Sequence, residues 1–61
     1  MSKFELHEDT VVYTDGTNGA ILLKNGGWSP FRYFDDGNLD IGDEVFFTHL
    51  NAYKWAVDTY T

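Results

Sequence analysis

The chain has 61 residues, enough for one domain with a thin hydrophobic core. It contains no cysteine, which excludes disulfides and thiolate metal sites, and no apolar run approaches the roughly 20 residues of a membrane span. Ten acidic and four basic residues give a net charge of −6, and the sequence has no basic cluster of the kind that binds phosphate groups. We expect a single cytoplasmic domain, residues 1–61, without a signal peptide.

Turn-forming residue pairs divide the chain into short segments. The pairs contain Gly, Pro, Asn or Asp and occur at Asp15-Gly16, Asn18-Gly19, Asn25-Gly26, Ser29-Pro30, Asp36-Gly37 and Gly42-Asp43. The segments between them are rich in β-branched and aromatic residues, which favour strands. None is long enough for a stable isolated helix, so we predict strands throughout.

Five strands are predicted, and a break near Glu8-Asp9 would divide the first of them. Their approximate ranges are Phe4–Thr14, Gly19–Lys24, Pro30–Phe34, Glu44–Leu50 and Lys54–Tyr60. The last two form a hairpin across residues 51–53. Five short antiparallel strands predict an all-β fold, a small closed or nearly closed barrel, because closure removes the exposed strand edges. Period-2 alternation assigns five residues to the core: Val11, Leu22, Val45, Phe47 and Val57.

Three segments resemble the cold-shock domain, an OB-type five-stranded barrel. Residues Val11–Leu23 are similar to the start of its first hairpin, and Pro30–Phe34 is similar to its second aromatic motif. Residues Asn38–Thr48 resemble the run that leads into its fourth strand. The resemblance implies an OB-like barrel that binds single-stranded nucleic acid. An SH3-like barrel is the alternative fold, because the same Gly-x-x-Val run also occurs in that class.

The chain departs from the cold-shock pattern where the family contacts nucleic acid. Ala20 and Leu22 occupy positions of two stacking aromatics, and Val12 and Asn18 occupy positions of two lysines. Single-strand binders combine aromatic platforms with a positive groove. The groove is nearly lost here, which favours a different kind of partner.

The aromatic residues outnumber what so small a core can bury, so some of them should form an exposed binding surface. The predicted binding residues are aromatic or charged and lie in the first two matched motifs or beside them: Tyr13, Trp28, Phe31, Arg32, Tyr33, Phe34, Asp35 and Asp36. Our first hypothesis is a protein-binding regulator, such as a phage-type inhibitor that mimics nucleic-acid charge and occupies a partner's basic nucleic-acid-binding surface. In that case Asp40 and Asp43 contribute as well. The alternative hypothesis is a single-stranded DNA- or RNA-binding protein.

Catalytic and metal-binding patterns are weak. His7 and His49 lack further ligands for a zinc set. The run Asp36-x-Asn38-x-Asp40 begins like a calcium loop but has Ile41 where that loop needs glycine and Phe47 where it needs glutamate. We expect a non-enzymatic protein without metal or cofactor, either monomeric or weakly self-associating.

Overall fold

The computed structural model describes residues 2–60 and contains five strands followed by a helix. The elements are β1 (Lys3–His7), β2 (Thr10–Thr14), β3 (Asn18–Leu22), β4 (Trp28–Tyr33), β5 (Leu39–Ile41) and α1 (His49–Tyr60). The strands form one antiparallel sheet in the order β1-β2-β3-β4-β5. Five antiparallel strands form, as predicted, but from partly different segments: the first predicted strand divides at Glu8-Asp9 into β1 and β2, and β5 was not predicted.

The C-terminal third was predicted incorrectly, because α1 occupies most of the segment assigned to the last two strands. Thr48 caps the helix: its hydroxyl accepts a hydrogen bond from the backbone N–H of Asn51 at 3.2 Å. The twelve residues that follow contain no Gly or Pro, and Ala52 and Ala56, one turn apart, are fully buried. Packing against β3 and β4 stabilises a helix that would be marginal in isolation.

The sheet is open rather than closed into a barrel. Strands β1 and β5 remain at its two edges, and no ladder within residues 2–60 joins them. The predicted barrel therefore does not close, and the all-β prediction is met only roughly: the fold is a five-stranded antiparallel sheet with a C-terminal helix on one face. Across the described residues 2–60, no helix is long and apolar enough to cross a membrane.

Three of the turns share one device, an Asp or Asn followed by a Gly with positive φ. The pairs are Asp15-Gly16, Asn25-Gly26 and Asp36-Gly37. In each, the side-chain oxygen of the first residue accepts a hydrogen bond from the backbone N–H two residues later. This explains why these sequence pairs predicted turn positions correctly.

The two faces of the sheet have different cores. Tyr13, Ala20 and Pro30 lie side by side in register on the face that α1 covers, where the small Ala20 allows close approach of the helix. Val12, Ile21 and Phe31 form the core cluster of the opposite face, with Tyr33 and Leu39 packed against it. Side-chain alternation therefore divides the apolar residues between two thin layers.

The core prediction was wrong in register and at the C-terminal end. Val11 and Leu22 are only half-buried, since each lies one position from a core residue and points to the helix face. Val57 is also half-buried. Val45 is 57% exposed and Phe47 is 98% exposed, because the strand that was to bury them does not form.

Because the sheet is twisted, side chains of β1 contact side chains of β4 on both faces of the sheet. The rings of His7 in β1 and Tyr33 in β4 approach to 6.2 Å on the face of the core cluster. On the helix face, Phe4 and Trp28, at the other ends of the same two strands, lie 6.3 Å apart. A saddle-shaped sheet thus covers part of each core without closing.

Candidate binding surface

Residues 34–47 form what we call the acidic segment. It holds five of the ten acidic residues and no lysine or arginine. Its carboxylates are those of Asp35, Asp36, Asp40, Asp43 and Glu44, all on exposed residues. The segment also carries four large exposed apolar side chains, those of Phe34, Ile41, Val45 and Phe47. Exposed apolar groups within a charged surface are characteristic of interaction sites.

Hydrogen bonds to β4 hold the second half of the acidic segment in place. The N–H of Gly42 donates to the carbonyl oxygen of Pro30 at 2.8 Å. Farther along, Trp28 and Phe46 exchange two backbone hydrogen bonds, at 2.8 and 2.9 Å. Residues 42–46 therefore follow the edge of β4 beyond the end of β5. A surface fixed in this way loses less conformational entropy when a partner binds.

An open cleft of about 290 Å³ lies beside this segment. It is lined by the turn between β3 and β4 and by the segment's last residues: Asn25, Gly26, Gly27, Val45, Phe46 and Phe47. Close packing already exists at its base, where a Cβ added to Gly27 would lie 2.7 Å from Val45 Cγ1. The cleft is large enough for one apolar side chain, and Phe47 stands exposed at its rim.

Arg32 lies at the other end of the acidic segment and is held there by aromatic and acidic neighbours. Its guanidinium carbon is 4.8 Å from the ring centre of Phe34 and 5.3 Å from that of Tyr60, within cation–π range. Its Nε is 3.7 Å from Asp40 Oδ2. The carboxylate and the two rings therefore offset part of the positive charge of Arg32, which reduces its availability to a phosphate group.

Carboxylates also surround Tyr60 at the C-terminal end of α1. Burial raises the pKa of its hydroxyl, and the negative charges of Asp40, Glu44 and Asp43 raise it further, against a lowering by Arg32. Glu44 is fixed nearby, because its backbone carbonyl accepts a hydrogen bond from the Ser29 hydroxyl at 2.8 Å. The negative potential is thus concentrated where the helix end meets β4 and β5.

Two predicted binding residues, Tyr13 and Trp28, lie elsewhere, in an aromatic cluster around His49. The His49 ring is 4.7 Å from Tyr13, 4.9 Å from Phe4 and 5.5 Å from Trp28, measured between ring centres. Tyr13 also contacts Tyr53 edge-on at 5.6 Å. Both predicted residues are half-buried and pack the start of α1 onto the sheet.

Two others belong to the opposite face of the sheet. Phe31 is fully buried, so its ring is not accessible to a partner. Tyr33 packs edge-on against Phe31, with the ring centres 5.2 Å apart. Burial raises the pKa of the Tyr33 hydroxyl, and the negative charge of Glu5 raises it further. The structure thus brings Arg32, Phe34, Asp35 and Asp36 together at one corner but separates them from the remaining predicted residues.

The sequence reasoning missed Glu44, Val45 and Phe47 as surface residues, since it assigned the last two to the core. The absence of lysine and arginine over residues 33–53 was the available signal for this surface. Among residues 2–60, no group of three or more His, Asp or Glu side chains is arranged to hold a metal ion.

Comparison of the chain with protein-family models, with curated proteins and with solved structures finds no match. What this surface binds must therefore be inferred from the charges, exposure and contacts of its own residues.

Proposed function

We propose that this chain is a small non-enzymatic module that binds a protein through the acidic segment. The observation that carries the proposal is Phe47, which is 98% exposed at the rim of an apolar cleft and follows Asp43 and Glu44 closely in the sequence. The apolar ring of an exposed phenylalanine is unfavourable in water, and covering it with a partner lowers the free energy of the complex. The partner best suited to this surface has basic side chains around an apolar one.

Charge supports the same choice of partner. Five carboxylates without a neighbouring lysine or free arginine attract a basic surface and repel phosphate. A regulator or inhibitor that occupies a partner's nucleic-acid-binding surface would have this combination of groups. Single-stranded DNA or RNA binding is the competing function, and it would need an accessible positive groove beside the aromatic residues.

The test is affinity capture from a nuclease-treated lysate, followed by direct binding measurements with the captured protein. Three tagged forms are compared: the parent chain, Phe47→Ser, and the matched control Leu50→Ser, which alters an exposed apolar residue on α1, outside the acidic segment and outside β1. We expect a protein that binds the parent and the control but is lost with Phe47→Ser. Capture that requires nucleic acid, or that is indifferent to Phe47→Ser, would overturn the proposal.

A further inference from the structure

The outer edge of β1 is a second exposed feature, at the opposite edge of the sheet from β5. Phe4 and Leu6, 55% and 78% exposed, lie on the same face of this strand, and within residues 2–60 no other strand pairs with its outer edge. Unpaired backbone groups on an edge strand are a template for another strand. We propose that two copies of this chain associate by antiparallel pairing of β1 with its copy, about a two-fold axis beside Phe4.

The turn between β1 and β2 determines which backbone groups point outward. Glu8 and Asp9 both have positive φ, 50° and 68°, as a two-residue type I′ hairpin requires. In such a hairpin, the flanking pair His7–Thr10 exchanges both hydrogen bonds. Because hydrogen-bonded pairs alternate along the ladder, the N–H and C=O groups of Phe4 and Leu6 point to the free edge.

Two copies of β1 could pair about a two-fold axis in several registers, and the charges of the strand favour one of them. An axis beside Glu5 would place that carboxylate opposite its own copy, which is destabilising. An axis beside Leu6 would place Phe4 opposite Glu8, where the strand has already ended. An axis beside Phe4 instead pairs residues 2–6 with their copies and places Lys3 opposite Glu5 twice.

The chosen register also covers Phe4, one of the two exposed apolar side chains of β1. Phe4 meets its own copy across the axis on the helix face, and the two Lys3–Glu5 pairs form on the other face, since residues alternate. The acidic segment, which includes β5, lies at the other edge of the sheet and stays free. The dimer would therefore present two acidic segments at once. Its formation does not depend on the proposed function.

A charge-swap series tests the pairing by sedimentation equilibrium, from about 1 µM to 1 mM, a range that spans the affinities expected of a small interface. The variants are Lys3→Glu, Glu5→Lys and the double swap. Each single swap should weaken dimerisation at least tenfold, because it replaces two attractive pairs by two repulsive ones. The double swap should restore it. Both positions are exposed, so thermal melts should show all variants folded.

The matched control exchanges the charges of Lys54 and Asp58, two exposed residues on α1, and should leave the dimer unchanged. A parent chain that remains monomeric at the highest concentration would refute the proposal. A dimer that ignores the single swaps, or that the double swap fails to restore, would refute the register and with it the proposal. If the chain stays monomeric but still captures a protein partner, the dimer proposal fails and the proposed function stands. The two proposals can therefore be refuted independently.

Discussion

The hydroxyl of Tyr53 donates a hydrogen bond to Asp15 Oδ2 at 2.9 Å and so joins α1 to the turn between β2 and β3. The other oxygen of the same carboxylate accepts hydrogen bonds from the N–H groups of Thr17 and Asn18, both at 2.9 Å. One side chain thus stabilises the turn and positions the helix. Residues 38 positions apart are linked at the surface of the molecule.

The pH dependence of folding should reflect this carboxylate. Burial tends to raise the pKa of Asp15, but hydrogen bonds from Asn18, Thr17 and Tyr53 outweigh it, and the pKa is lowered from 3.8. A lowered folded-state pKa contributes stability above the unfolded value, and that stability is lost as pH falls through the folded pKa. Tyr53→Phe should therefore cost about 0.5–1 kcal/mol at neutral pH. Urea unfolding should show this cost shrinking at pH values well below 3.8, whereas a pH-independent cost would contradict the account.

Two phenylalanines should respond in opposite ways to truncation. Phe31→Ala removes a fully buried ring and should cost about 3–5 kcal/mol, comparable with the total stability of a domain this small. Phe47→Ala removes an exposed ring and should change the free energy of unfolding by less than about 0.5 kcal/mol. Thermal melts of the two variants provide the comparison. A large loss of stability in Phe47→Ala would show that residue 47 is buried after all.

Gly19 should not tolerate a side chain. A Cβ there would lie 2.8 Å from Thr14 Cβ and 2.9 Å from Cε2 of Phe31, and it would also meet the backbone oxygen of Tyr13. Gly19→Ala should therefore destabilise the fold by about 1–3 kcal/mol through overpacking. Gly16→Ala is not a clean control because Gly16 has positive φ. Ala20→Gly, at the neighbouring position on the opposite face of β3, adds no volume and separates crowding at Gly19 from a general intolerance of β3 to change.

The turn between β1 and β2 should accept more favourable residues. Glu8 and Asp9 both adopt the left-handed region, in which glutamate in particular is strained. Combining Glu8→Asn with Asp9→Gly supplies the residues that type I′ turns prefer and should raise the melting temperature by a few degrees. A charge control, Glu8→Gln, removes a carboxylate without relieving the backbone. An equal rise in that control would assign the effect to charge.

Oligothymidine should bind weakly or not at all. The only arginine is paired with Asp40, and the exposed aromatics of the acidic segment lie among carboxylates. We expect a dissociation constant above about 10 µM at near-physiological salt, within the range of non-specific binding. Fluorescence quenching of the tryptophans over a salt series is the measurement. Submicromolar binding that weakens steeply with salt would favour the nucleic-acid alternative.

Neutralising the acidic segment should slow association with a protein partner more than it speeds dissociation. Asp35→Asn with Asp36→Asn removes two exposed charges from the turn between β4 and β5, and Asp58→Asn on α1 serves as the control. Steering by surface charge acts mainly on the association rate and fades with salt. Stopped-flow binding to the captured partner measures both rates, and an unchanged association rate would argue against electrostatic steering.

The sequence alone was informative where structure is local. Asp15-Gly16 and Asp36-Gly37 marked their turns correctly, because an Asp oxygen that accepts a nearby N–H and a Gly with positive φ define a turn within four residues. The antiparallel order of the strands followed from those turns. At the candidate binding surface, the sequence identified Phe34, Asp35 and Asp36 as neighbours because they are adjacent in the chain.

Only the tertiary structure decided the remaining features. These are which side chains are buried on each face, whether the edges of the sheet stay open, and whether residues 49–60 form a strand or a helix. The segment that begins after Thr48 has aromatic residues typical of strands, yet Ala52 and Ala56 are spaced for a helix, and packing on β3 and β4 selects the helix. That choice leaves Phe47 without a strand to cover it, whereas Phe31 is buried on the face of the sheet that the helix does not cover. Burial depends on contacts between segments far apart in sequence, and local patterns carry little information about those contacts.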